Sequence, residues 1–164
     1  MADGAEGACP KGWCAMKGEL TGGCLCGAVR YTLREGFRLK PYACHCTDCQ
    51  SRTGSAFSEH MLFALADLDI SGDLDTGEYD QPSGAHSRIL GCATCKARIY
   101  AVNDTREGFA SLRCGTLDDS ASLVPAAHLW VKSKQPWIGL PADARVMDAQ
   151  PQTTEEWIEF VGMA

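Results

Sequence analysis

Three short cysteine clusters constrain this chain more than anything else in it. Gly23-Cys24-Leu25-Cys26-Gly27, Cys44-His45-Cys46-Thr47-Asp48-Cys49 and Gly91-Cys92-Ala93-Thr94-Cys95 gather seven of the ten cysteines. A disulfide framework fits this spacing badly, because cysteines one residue apart rarely pair with each other. The first residues are small and acidic, with no basic stretch running into an apolar one. No secretory leader is therefore expected, and the chain reads as cytoplasmic, where thiols stay reduced and clustered cysteines signal metal or thiol chemistry. No apolar run approaches the roughly 20 residues that cross a bilayer, so no membrane span is expected.

Zinc takes thiolates at about 2.3 Å in a tetrahedron, with four protein ligands where its role is structural. Two close pairs from distant parts of a chain meet that need. The pairs Cys24/Cys26 and Cys92/Cys95 make such a set and would tie the start of the domain to its middle. Cys44, Cys46 and Cys49 differ, placing three sulfurs within six residues. Three ligands leave one tetrahedral position open, the pattern of a reactive zinc site. Three thiolates make the centre a poor activator of water but suit it to an incoming thiol. A fourth ligand would instead close this cluster and make it structural. His45 sits between two of the sulfurs, but neighbours of tight ligand pairs usually point away, which favours a place beside the metal rather than on it.

The remaining sequence predicts a mainly β fold with small helices. Ala28 to Leu33, Ser58 to Leu65, Asp67 to Ser71, Ser87 to Leu90, Arg98 to Val102 and Phe109 to Arg113 are β-prone runs bounded by turn residues. Met61, Phe63 and Leu65 share a face of the second run. Leu123 to Val131 is apolar but broken by Pro125. Thr153 or Thr154 would cap a terminal helix containing Trp157 and Phe160, with Glu155 and Glu156 in its first turn. The cysteines are expected in the gaps between strands. Residues 1–20 read as a flexible extension and 21–164 as one zinc domain. The net charge of -6 lacks the basic stripe of a nucleic-acid surface, so nucleic acid is an unlikely partner.

Other reactive residues read as ordinary. Cys9 and Cys14 are expected to be free surface thiols, with a disulfide or third metal site as alternatives, and Cys114 a core thiol. His60, His86 and His128 are expected to be hydrogen-bonded histidines. Arg30, Arg52, Arg88 and Arg113 are each able to bind a carboxylate with two nitrogens but are expected to be solvated charges, with Arg52 notable for lying close after Cys49. Trp130, Trp137 and Trp157 are expected in the core.

These clusters, with Ala28-Val29-Arg30-Tyr31, Gly54, Phe57, Gly115-Thr116-Leu117-Asp118-Asp119, His128-Leu129-Trp130, Ser133-Lys134 and Trp137, resemble the glutathione-dependent formaldehyde-activating enzymes, a family that includes centromere protein V. The resemblance runs from about Leu20 to Pro151. It implies a β-rich, zinc-stapled, Mss4-like tent with a structural zinc on Cys24, Cys26, Cys92 and Cys95. It also implies a catalytic zinc on Cys44, Cys46 and Cys49. The implied activity joins formaldehyde and glutathione, or a related thiol, into an S-hydroxymethyl adduct, a carbon–sulfur lyase reaction. A zinc-stapled binding module without activity is the alternative. Two departures stand out: Lys96 follows the third cluster where glycine is common, and Gln50 follows Cys49 where arginine is frequent.

Overall fold

A computed structural model describes residues 18–81 and 84–164. Cys9 and Cys14, and most of the expected extension, lie outside the described residues. In chain order the elements are β1 (Leu20–Gly23), β2 (Arg30–Leu33), β3 (Tyr42–Cys44), α1 (Thr47–Thr53), β4 (Ser58–Ala64), β5 (Leu68–Ser71), β6 (Leu74–Asp80), β7 (His86–Cys92), β8 (Arg98–Asn103), β9 (Phe109–Arg113), β10 (Ala127–Leu129), β11 (Arg145–Met147) and α2 (Thr154–Val161). The fold is mainly β, as the alternating runs predict.

Two open sheets form. The smaller is antiparallel, in the order β1-β2-β5, and the larger runs β11-β10-β3-β4-β9-β8-β7-β6. Within the larger, β10 lies parallel to both β3 and β11, while the other pairs are antiparallel. β4 occupies a central position, and both its faces are buried. Met61 and Phe63 pack with Val29, Tyr31 and Leu33 of the small sheet and with Ile99 and Leu112. Leu62 points the other way, into a second core with Leu39, Tyr42, Leu129, Trp157 and Val161. Period-2 alternation on a strand covered on both sides produces this division.

Helix α2 covers that second face. The Thr153 hydroxyl accepts from the Glu156 amide, and Glu155 and Glu156 occupy the first turn, as the sequence predicts. Leu117, in the segment after β9, bridges to Gly22 of the small sheet. A side chain there would collide with the Tyr31 hydroxyl and the Thr116 carbonyl. No helix among the described residues is long and apolar enough to cross a membrane.

Candidate metal centres and cavity

The cysteines are held less by open gaps than the sequence suggests. Cys44 ends β3, Cys92 ends β7, Cys46 caps α1 and Cys49 lies inside it, whereas Cys24, Cys26 and Cys95 lie in turns. The reason is that strand ends and a capped helix fix side-chain direction better than free loops do.

Cys24, Cys26, Cys92 and Cys95 bring their sulfurs within 4.8 Å of one another. The Cys24–Cys26 and Cys26–Cys92 separations are 3.5 and 3.8 Å, close to the roughly 3.8 Å edge of a tetrahedron built on a 2.3 Å zinc–sulfur bond. Cys24 and Cys92 are buried, and Leu25 between the first pair is 94% exposed at the tip of the turn. Backbone amides converge on the sulfurs: Val29 donates to Cys24 at 3.2 Å, and Thr94 and Cys95 donate to Cys92 at 3.4 and 3.5 Å. Burial opposes ionisation of Cys24, but the Val29 amide and the neighbouring thiols outweigh it and hold its pKa down to about 6.

Cys44, Cys46 and Cys49 form a second group at the same spacing, and no His, Asp or Glu among the described residues joins it. The Cys49 amide donates to Cys46 Sγ at 3.3 Å, which is also the N-cap bond of α1. Hydrogen bonds from Cys44 and Cys49 hold the Cys46 thiol down to about 2, and in return the bond to Cys46 pushes the Cys44 thiol up. The sulfurs are too close for all to carry charge unless a cation lies among them. This donor set therefore fits a soft divalent ion such as zinc, as the four-sulfur group does.

His45 does not join the trio. It is fully buried, stacked on His128 with the Phe57 ring tilted against it, and its Nε2 lies 3.0 Å from His128 Nδ1. Burial, reinforced by His128 and Lys134, lowers its pKa to about 4, so it stays neutral. Gln50 acts as a structural tie, its amide donating to the carbonyls of His45 and Ser133 at 2.8 and 2.9 Å. These bonds join α1 to the segment after β10. Gly54 ends α1 in the left-handed region, its amide donating to the Gln50 carbonyl.

The trio opens on a cavity of about 380 Å³. Its floor is the second face of the large sheet: Tyr42 pairs with His60, and His60 with Arg113, across β3, β4 and β9. Trp130 and Trp157 form part of its walls. Trp130 takes φ 58°, a left-handed conformation unusual for so bulky a side chain. The four-sulfur group contributes no residue to this lining.

Several residues read as ordinary in the sequence belong here. His60 Nε2 lies 3.7 Å from Cys49 Sγ and 3.0 Å from Arg113 Nη1. Burial, with Arg113 and Arg106 nearby, lowers its pKa and keeps it neutral. Arg106 and Lys132 also line the cavity. The available signal was Ser58 and His60, polar residues at alternate positions on the face of the run opposite Met61 and Phe63. Trp137 is not core but 74% exposed, its Nε1 bonded to Gln135 at 2.6 Å. Cys114 is fully buried, as expected, and Arg30 is paired with Asp118 rather than simply solvated.

A β-rich frame thus carries two separate thiol groups, each of which could hold a metal ion, and a cavity opens at one of them. The chain matches the model of the glutathione-dependent formaldehyde-activating enzyme family over residues 19–133 and belongs to that family. No curated protein matches it. A crystal structure of a Rhodobacter sphaeroides protein is similar at 18% identity and TM-score 0.46, covering 61% of this chain and 89% of that one.

Proposed function

We propose that this protein is a zinc-dependent carbon–sulfur lyase acting on thiol–aldehyde adducts, with formaldehyde and glutathione or a related thiol as reactants. The observation that carries this reading is the exposure of the Cys44, Cys46 and Cys49 group to the cavity, while the four-sulfur group stands outside it. In this reading Cys24, Cys26, Cys92 and Cys95 hold a structural zinc and the trio a reactive one. Zinc on the trio would lower the pKa of a bound thiol while leaving its sulfur nucleophilic.

The chain's own groups do the rest. Tyr42, Trp130 and Trp157 wall the cavity and limit water, which protects an adduct from random solvolysis. Neutral His60 holds the Arg113 guanidinium against the floor. In the net reaction the thiol sulfur bonds to the carbonyl carbon, the π pair moves to oxygen, and oxygen takes the thiol proton. The reverse elimination restores both reactants. Reduced cytoplasmic thiols suit such a protein. A non-catalytic zinc module would need a fourth ligand on the trio; His45 is engaged with His128, and His60, with Nε2 3.7 Å from Cys49 Sγ, is already bonded to Arg113.

The test is Cys46→Ser with zinc content and adduct turnover measured together. The wild type should hold two zinc ions per chain and process S-hydroxymethylglutathione. The variant should lose one ion and at least roughly 100-fold in turnover, since losing even an outer partner of a ligand costs 10- to 100-fold. Full activity in the variant would overturn the assignment.

A further inference from the structure

The cavity at the trio carries cations that the protein does not neutralise. Arg52, Arg106, Arg113 and Lys132 line it, and Asp48 is the one carboxylate in that lining among the described residues. None of the four cations belongs to an ion pair among the described residues. The whole chain is acidic, at -6, so this local excess is not a by-product of composition.

The guanidinium groups are held in place rather than waving in solvent. Arg52 sits over Tyr79, with Cζ 3.2 Å from the ring centroid. Arg113 is fixed by the Ser58 hydroxyl and by His60 at 3.0 Å. Arg106 stands over Trp157 at 5.7 Å. Behind them Arg98, on β8, has its pKa lowered by burial and then by the charges of Arg113 and Arg52. Arg52 Nε, Arg98 Nη1 and Arg113 Nε are buried without a hydrogen-bond partner. Crowded, half-buried cations destabilise the empty fold and become favourable when an anion joins them. Local violations of this kind are expected at functional sites.

We propose that Arg52, Arg106 and Arg113 form a carboxylate subsite beside the Cys44–Cys46–Cys49 group and determine which thiols the site accepts. The inference rests on the thiol–aldehyde reading of that group. A thiol bearing a carboxylate is accepted, because the planar forks match carboxylate oxygens in pairs. A neutral thiol of equal size leaves the cations uncompensated and is rejected.

Two S-hydroxymethyl adducts separate the possibilities: that of 3-mercaptopropionate and that of its amide, which differ in charge and hardly in shape. The zinc-loaded wild type should favour the carboxylate adduct by roughly 10- to 100-fold in kcat/KM, the effect of one or two charge-assisted hydrogen bonds. Arg113→Gln and Arg106→Gln should each shrink that preference, mainly through a raised KM, and added salt should weaken it further. Arg106→Gln, in a turn outside the sheet, keeps the test alive if Arg113→Gln fails to fold. Calorimetric titration with glutarate, which has no thiol, gives an independent reading and should show binding that both variants weaken. Equal turnover of the two adducts with no glutarate binding would overturn the subsite and leave the lyase reading standing. Arginine-dependent glutarate binding without turnover of either adduct would sink the lyase reading and keep the anion site.

Discussion

The Lys96 amide donates to the Cys92 carbonyl at 3.0 Å while Lys96 itself sits in the left-handed region, at φ 60°. The turn after the Cys92/Cys95 pair therefore closes in the form glycine favours, although a lysine occupies it. A left-handed residue with a Cβ costs about 1 kcal/mol. Lys96→Gly should leave thermal stability unchanged or slightly raised, because relief of that strain offsets the entropy glycine adds to the unfolded chain. Lys96→Val should lower it by about 1–3 kcal/mol, since a β-branched residue is least tolerated there. Thermal melts of the two variants beside the wild type check both directions.

The two thiol groups should differ in what they hold together. Cys24/Cys26 and Cys92/Cys95 join the small sheet to the β7–β8 hairpin, whereas the trio is local to β3 and α1. Cys92→Ser should therefore depress Tm more than Cys44→Ser. A loss of about 3–5 kcal/mol corresponds to roughly 10 °C in a chain of this size. Stripping all metal with a chelator should lower Tm at least as far as Cys92→Ser does. Equal melting temperatures for the two serine variants would contradict the division of roles.

Asp118 supplies a pH signature. Arg30 grips its carboxylate with two nitrogens, at 2.9 and 2.5 Å, and the Thr21 hydroxyl donates at 2.7 Å. Those bonds, Arg30 first, depress its pKa from 3.8 to about 2. A depressed carboxylate stabilises the fold fully above its unfolded pKa and loses that contribution as pH falls through the folded one. The stability gap between wild type and Asp118→Asn should be constant above pH 5 and close between about pH 4 and 2. Denaturant melts of both proteins across that range measure it.

Gln50 should prove structural. It donates to two backbone carbonyls that join α1 to the segment after β10 and accepts from Gln135 at 3.2 Å. Gln50→Ala should cost about 1–3 kcal/mol by leaving the Ser133 carbonyl without that donor and the His45 carbonyl with the Ser133 hydroxyl alone. Gln50→Glu should cost at least as much at neutral pH, because it turns the donor into a charged acceptor facing two oxygens. Unchanged unfolding midpoints would show that solvent replaces these bonds without penalty.

The cysteine grouping was legible in the chain alone, because ligand spacing is local and tetrahedral geometry restricts which pairs can share an ion. So were the β character and the capped terminal helix, through alternation and the Thr153 signal. That His60, Ser111 and Arg113 line one cavity floor emerged only on folding. Strand order is non-local: β9 lies beside β4 although β5, β6, β7 and β8 intervene in the chain, and no local pattern encodes that pairing. The same holds for His45, whose spacing among the sulfurs left a ligand role open until packing turned its ring toward His128. The cations gathered at the trio were unreadable for the same reason, since Arg52, Arg106 and Arg113 meet only once α1, the turn before β9 and β9 itself fold against one face.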